Sequence, residues 1–202
     1  EGKTTTATNI ALSLAQNGKS VLLIDADLRK PAVAKTLGFA ATDDEGICGI
    51  ISGDKTLKES IKYSEKYQLF VLVSGKAVDN SSEILSSPKM EEIIESAKKE
   101  FDFVIIDTAP CGILADAAIV AGYADTSVIV IKQDCAPARK IKRAIDNIEN
   151  SGIEILGCIY NNAERSFGKP SFYGKKSSYD YGYGYSYGGS SVNSKHNDKQ
   201  SR

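Results

Sequence analysis

Four groups of residues carry the chemistry open to this chain. Gly2-Lys3-Thr4 stands at the head of a run with helical character. That triplet matches the end of the pattern G-x-x-x-x-G-K-[ST]. There, backbone N–H groups at a helix N-terminus cradle phosphate oxygens, the lysine neutralises phosphate charge and the hydroxyl ligates Mg²⁺. Read this way, Lys3 and Thr4 handle phosphate and metal, flanked by Glu1, Gly2 and Thr5. Helix starts also carry Gly, Lys and Thr for ordinary reasons, so the triplet alone leaves both readings open.

Two sets of carboxylates add to it. Asp25 and Asp27 end the apolar run SVLLIDAD, and Asp107 follows Phe103, Val104, Ile105 and Ile106. Carboxylates two apart on an extended chain leave the same face. They repel unless a cation lies between them or one serves as a base. Mg²⁺ together with a hydroxyl nucleophile would use both. The plain alternative is that these aspartates cap strands and open helices.

The fourth group supplies a nucleophile. Tyr179, Tyr181, Tyr183, Tyr185 and Tyr187 occupy every second position of SSYDYGYGYSYGG, with Tyr173 a little upstream. Period-2 alternation suits a strand, but Gly182, Gly184, Gly188 and Gly189 weaken one. A sticky low-complexity tail is the plain reading. A phosphoacceptor on a glycine-rich tether is the sharper one, each phosphate adding about −1.5 to −2 charges.

These groups need a scaffold. Residues 4–17 read as a helix closed by Gly18. SVLLIDAD, YQLFVLVSG, FDFVIIDTAP, TSVIVIKQD and IEILGCIYNN read as short strands, continuous enough in apolar character to be buried on both faces. Helical patterns lie between them at Pro88–Lys99, Asp116–Gly122 and Ala138–Ser151. Strands alternating with helices predict a doubly wound, mainly parallel α/β sheet with helices on both faces and right-handed crossovers. In such a sheet, strand C-termini meet at the ligand crevice. That is where Asp25, Asp27 and Asp107 fall. A phosphate loop is normally preceded by a strand, so the chain reads as N-terminally truncated, with the first strand and the start of the loop missing.

Composition changes near Asn162. From Glu164 to Arg202 the chain is Ser, Gly, Tyr, Lys and Asn with few aliphatics, too little to offset its ordering entropy. This predicts a phosphate-loop domain over 1–162 and a flexible tyrosine-rich tail over 163–202. The 25 Lys/Arg and 26 Asp/Glu leave a net charge of −1, which gives no general pull toward nucleic acid. No apolar run approaches the roughly 18 residues of a membrane span. Cys48, Cys111, Cys135 and Cys158 form no CxxC pattern and are expected to be reduced, mostly buried thiols. His196 is expected to have no role. Arg139 and Arg143 in ARKIKR share a helix face, either a solvated one or one that docks an acidic or phosphorylated segment.

Together, EGKT, VLLIDADLRKP and FVIIDTAP resemble the Walker A, Walker A′ and Walker B motifs of the bacterial tyrosine kinases that regulate capsular and extracellular polysaccharide synthesis. NSSEIL (80–85) resembles that family's Asn-Pro-Ser-Glu-Leu-Leu stretch, and ILGCIYNN (155–162) its nucleotide-base strand. The resemblance covers roughly residues 1–162, with the tyrosine cluster in the expected place. It implies a P-loop fold and ATP-dependent autophosphorylation of the tail tyrosines. Lys3 and Thr4 would serve phosphates and Mg²⁺, Asp25 would be the base for the tyrosine hydroxyl, and Asp27 and Asp107 would act in the metal shell. Asn161 or Asn162 would contact adenine. Arg29 belongs to the family's Asp-x-Asp-x-Arg pattern, as a phosphate or subunit-interface contact or as a plain helix-start arginine.

The implied setting is a homo-oligomeric ring at the cytoplasmic face of the membrane. A membrane activator, fused or separate, and a phosphotyrosine phosphatase would be partners, and nucleic acid would not. Two departures stand out. Ala109 replaces a proline of Asp-Thr-Pro-Pro, and Ser81 replaces the proline of Asn-Pro-Ser. Two rival readings share the fold: a switch ATPase of the septum-placement or partition kind, and a non-catalytic interaction subunit. The first lacks a tyrosine run, and the second needs no intact Asp25.

Overall fold

The computed structural model describes residues 1–40, 42–112 and 115–163. Its elements run α1 (Lys3–Gln16), β1 (Val21–Asp25), α2 (Val33–Leu37), α3 (Gly46–Ile51), α4 (Leu57–Ser60), β2 (Ile61–Ser64) and β3 (Leu69–Leu72). Then come α5 (Ser81–Leu85), α6 (Pro88–Glu100), β4 (Phe103–Asp107), α7 (Asp116–Ala121), β5 (Thr126–Lys132), α8 (Ala138–Glu149) and β6 (Glu154–Asn161). Local chemistry sets several ends. Ser87 caps α6, its hydroxyl accepting from the Met90 N–H at 3.2 Å, and Pro88 fills the first helical position. After α1, the Gly18 and Lys19 N–H groups return to Ala15 and Leu14.

Four strands pair in the order β2-β3-β1-β4, and β5 and β6 form a separate two-stranded ladder. β1 runs parallel to both β3 and β4, while β2 is antiparallel to β3. All five residues of β1 are buried, and they alternate between two cores. Leu22 and Ile24 face Ile47 and Ile50 of α3, Leu85 of α5 and Met90, Ile93, Ile94 and Ala97 of α6. Val21 and Leu23 face Ala11 and Ala15 of α1 and Val33 and Leu37 of α2. Each Val, Leu, Ile or Met buried here contributes about 1.5–3 kcal/mol, so the strand that delivers Asp25 is held from both sides. The expected doubly wound α/β arrangement is therefore present.

Three details differ from the sequence reading. β5 and β6 are not buried on both faces: Leu156 is 73% and Tyr160 58% exposed. Among the described residues each of these strands has one ladder partner, without the flanking burial that shields β1. For the same reason Cys158 on β6 is exposed. Cys135 is exposed too, Cys48 and Cys111 are half-buried, and all four are free thiols. The short elements α2, α3, α4, β2 and α5 carry too few apolar positions to announce themselves. β2 is held partly by Lys62, which pairs with Glu45 at 2.6 Å. No helix among the described residues is long and apolar enough to cross a membrane. The tail tyrosines Tyr173, Tyr179, Tyr181, Tyr183, Tyr185 and Tyr187, His196, and the tail beyond Ala163 lie outside the described residues.

Candidate active site

The start of α1 is one wall. Gly2 sits in the left-handed region at φ 97°, and no side chain among the described residues caps the helix. The Gly2 carbonyl accepts from the Thr6 N–H at 2.9 Å, so the first N–H groups of the helix point outward from its positive end. The end of β6 closes on this turn: the Asn161 Nδ2 donates to the Glu1 carbonyl at 2.9 Å. A Cβ on Gly2 would stand 2.2 Å from that Nδ2. The Asn161 Oδ1 accepts from the Asn162 N–H at 2.9 Å, with Asn162 itself at φ 54°. Lys3 pairs with Glu1 at 2.8 Å, and Thr5 is exposed.

The strand ends are the other wall. β1 and β4 place Asp25 directly opposite Asp107, and the Ala26 N–H donates to the Asp107 carbonyl at 2.8 Å. The Thr4 Oγ1 donates to the Asp107 Oδ2 at 2.5 Å, joining helix to strand. Asp25 is 0% exposed. Its Oδ2 accepts from the Ala32 and Val33 N–H groups at 3.0 and 2.9 Å. Its Oδ1 has no partner among the described residues. Asp27 lies past the end of β1, and its Oδ1 accepts from the Lys30 N–H at 3.0 Å.

These carboxylates sense one another. Burial, reinforced by the charge of Asp107, pushes Asp25 up to about 7 against the pull of the Val33 and Ala32 N–H groups. Burial also pushes Asp107 above the usual carboxylate range. The Asp27 charge adds to that, while Thr4 and Lys3 oppose it. Crowded, partly desolvated carboxylates of this kind favour a cation or a proton among them.

Arg29 does not reach the start of α1. Its Nε donates to the Asp116 Oδ2 at 3.0 Å and its Nη1 to the Asp79 carbonyl at 3.0 Å. Asp116, 0% exposed at the start of α7, also accepts from the Ser81 hydroxyl at 2.7 Å and the Ser82 hydroxyl at 2.5 Å. Burial raises this carboxyl, but Ser82, Ser81 and Arg29 more than offset it and hold it below the ordinary range. Sequence reasoning missed Asp116. The available signal was an acidic residue opening the otherwise apolar run DAAIVA, nine positions after Asp107.

No three His, Cys, Asp or Glu residues among those described converge to cage a metal. Mg²⁺ needs no such cage. It is held by one or two carboxylates plus phosphate and water. The oxygen set of Thr4 and Asp107, the coupled charge of Asp27 and the unpartnered Asp25 Oδ1 fit that requirement.

A Gly-Lys-Thr helix start facing paired aspartates at parallel strand ends defines the P-loop NTPase class, and the AAA domain family model matches residues 1–153. The tyrosine-protein kinase CpsD of Streptococcus agalactiae is 38% identical over 180 residues, covering 87% of this chain and 78% of that protein. The tyrosine-protein kinase YwqD of Bacillus subtilis is 36% identical, covering 89% and 75%. The kinase domain of the Escherichia coli tyrosine kinase ETK superposes with a TM-score of 0.76 at 29% identity, over 90% of this chain and 68% of that one. The chain belongs to the bacterial tyrosine-protein kinase family. The Pyrococcus furiosus cell division ATPase MinD shares the fold, with a TM-score of 0.67 at 27% identity over 82% of this chain and 69% of that one.

Proposed function

We propose that this protein is an ATP- and Mg²⁺-dependent autokinase that moves the γ-phosphoryl group onto Tyr179, Tyr181, Tyr183, Tyr185 and Tyr187, and so regulates capsular or extracellular polysaccharide synthesis. The observation that carries the reading is Asp25. It is a fully buried carboxylate with one oxygen fixed by two backbone N–H groups and the other unpartnered, opposite Asp107. A general base must be held still and within reach of its proton, and this one is held still.

In the proposed reaction, the Gly2–Thr5 turn and Lys3 take the phosphates, Lys3 exchanging its ion pair with Glu1 for phosphate oxygens. Asn161, whose Nδ2 reaches the Glu1 carbonyl, and the adjoining Asn162 would contact adenine. Thr4, Asp27 and Asp107 would hold Mg²⁺, which neutralises charge on the transferring group. Asp25 accepts the proton of the incoming tyrosine hydroxyl. That oxygen bonds to the γ-phosphorus as the bond to ADP breaks. The rest of the catalysis is positioning.

The protein would work as a homo-oligomer, with tails phosphorylated by neighbouring subunits. It would sit at the cytoplasmic face of the membrane through an activator that is part of the same chain or a separate protein. A phosphotyrosine phosphatase would reset it. The names of the relatives and the tyrosine run support this reading over a switch ATPase, and the Asp25 geometry supports it over a non-catalytic interaction subunit.

The test is autophosphorylation of the full-length protein with its activator, ATP and Mg²⁺. Phosphotyrosine should accumulate without another kinase, and Lys3→Met and Asp25→Asn should stay blank. Brisk ATP hydrolysis with no phosphotyrosine would mean a switch ATPase instead.

A further inference from the structure

We infer that Asp116 is a positioning residue for phosphoryl transfer: through Arg29 it fixes the loop between β1 and α2 that holds Asp25 and Asp27 in place. The inference rests on the kinase reading above and adds a residue that the motifs do not contain.

The contacts form a chain. Asp116 takes the Arg29 Nε at 3.0 Å, and Arg29 also donates to the Asp79 carbonyl at 3.0 Å. The Val78 N–H donates to the Leu28 carbonyl at 2.9 Å, tying the same two segments by backbone. The loop pinned this way, residues 26–32, leads into the two N–H groups that hold the Asp25 Oδ2, those of Ala32 at its end and Val33 at the start of α2. Its Lys30 N–H holds the Asp27 Oδ1. Ser81 and Ser82 fix Asp116 from the first turn of α5. One buried carboxylate therefore ties together the loop after β1, the start of α5 and the start of α7.

A structural role alone is a poor explanation for a charge here. α7 packs through Ala117, Val120 and Ala121 against apolar neighbours. A buried ion pair is often no more stabilising than apolar residues of similar size. What the ion pair supplies is direction: the Arg29 guanidinium is a planar fork that fits one geometry. Ser81 fits the same account. Where the family pattern has proline, this chain places a hydroxyl that shares the Asp116 Oδ2 with Arg29. The connections run to the Asp25 side of the site. None of the contacts named here runs from Asp116 to Gly2, Lys3 or Thr4. Loss of Asp116 should accordingly disturb transfer more than nucleotide binding.

The experiment uses the full-length protein with its activator and compares the parent with Asp116→Asn, Arg29→Gln, the double variant and Asp25→Asn. Expected for Asp116→Asn is a fall in kcat of about 10- to 100-fold, the scale of a misplaced reacting group. The KM for ATP should stay within about twofold. Amide hydrogen exchange at Lys30, Ala32 and Val33 should quicken, with α1 unaffected. The double variant should be no worse than the poorer single, because both changes cut the same link. Parent-like kcat, a KM for ATP that rises in step with the loss, or additive losses in the double variant would overturn the inference. If Asp116→Asn does not fold, Ser81→Ala and Ser82→Ala each remove one hydrogen bond to Asp116, and unchanged exchange at residues 30–33 in both would overturn it equally. The parent and Asp25→Asn together separate the two claims. If the parent itself gains no phosphotyrosine, the kinase reading fails; if the parent is phosphorylated and Asp25→Asn is blank while the Asp116 series is parent-like, the positioning role alone fails.

Discussion

The Thr4 hydroxyl donates to the Asp107 carboxylate at 2.5 Å, across 103 positions of sequence. This bond joins the helix that would carry phosphate to the strand that would carry metal. A cation entering between them must turn the hydroxyl's lone pairs inward and take over the carboxylate oxygen. Asp107→Asn should keep the fold, since the amide still accepts from Thr4. Mg²⁺-dependent tyrosine phosphorylation should fall by about 100-fold or more, the scale seen when a charge-stabilising group is lost. Thermal melting and phosphotyrosine immunoblotting together check both halves. Near-parental activity would remove Asp107 from the site.

Gly2 is a second sharp test. At φ 97° an L side chain is strained, and a Cβ would stand 2.2 Å from the Asn161 Nδ2. Gly2→Ala should therefore displace Asn161 from the Glu1 carbonyl as well as distort the first turn. Nucleotide affinity, measured by calorimetry on the full-length protein, should drop by at least about tenfold, equivalent to roughly 1.4 kcal/mol. Pairing Gly2→Ala with Asn161→Gly should recover part of the melting temperature that Gly2→Ala costs, because the clash is then relieved and the φ strain remains, while nucleotide affinity stays low for want of the adenine contact proposed for Asn161. No recovery would show that the Asn161 contact is incidental.

Asp116 sets a pH dependence. Its folded-state carboxyl lies below the ordinary range, so the folded state binds this proton less tightly than the unfolded chain. The stability it contributes is fully present above the unfolded pKa of about 3.9 and is lost as pH falls through the lower folded value. Asp116→Asn should thus be less stable than the parent near neutrality, and the gap in melting temperature should narrow on acidification below about pH 4. A gap that widens in acid would reverse the assigned sign.

The unpaired strand edges carry a prediction about handling. Among the described residues β4, β5 and β6 each have one ladder partner, and Val128 on β5 and Leu156, Ile159 and Tyr160 on β6 are exposed. Open edges with apolar side chains invite pairing between chains. Residues 1–202 on their own should self-associate as concentration rises, which light scattering would read. A monomer throughout would show that these edges are protected.

Much of this was legible in the sequence for physical reasons. β1 is continuous in apolar character because both of its faces are covered, and a buried strand of that kind must end at the crevice. That alone places Asp25. The helices α1, α6 and α8 fall within two residues of the sequence expectation, since each repeats an apolar stripe and has clear end signals. The Asp116 cluster was hidden because Arg29 and Asp116 stand 87 positions apart, and neither looks unusual alone. β5 and β6 misled in the other direction: their apolar runs suggest burial on both faces, but exposure depends on the neighbours of a strand as well as on its own residues. The short α2 and α5 exist largely because tertiary bonds hold them, Asp25 at one and Asp116 at the other.

The tail offers the clearest test of regulation. Residues 164–202 hold seven Lys/Arg and three Asp/Glu, whereas the remainder of the chain carries the acidic excess. On the proposed reading, this charge balance would draw an unmodified tail toward a site rich in carboxylates, which would suit delivery of tyrosine to Asp25. Five phosphates would add roughly −8 to −10 charges and invert the sign of the segment. Attraction then becomes repulsion from Asp25, Asp27 and Asp107. On the proposed reading, in which tails reach neighbouring subunits, heavy phosphorylation should loosen the oligomer. Replacing Tyr179, Tyr181, Tyr183, Tyr185 and Tyr187 with Phe in the full-length protein keeps the aromatic character and removes the acceptors. With ATP and Mg²⁺ present, light scattering should show the parent losing mass over time and the Phe variant holding it. Higher salt should blunt the difference, because exposed charges are screened within about 8–10 Å. If the two proteins keep the same mass while only the parent becomes phosphorylated, the tyrosines record the reaction without controlling assembly.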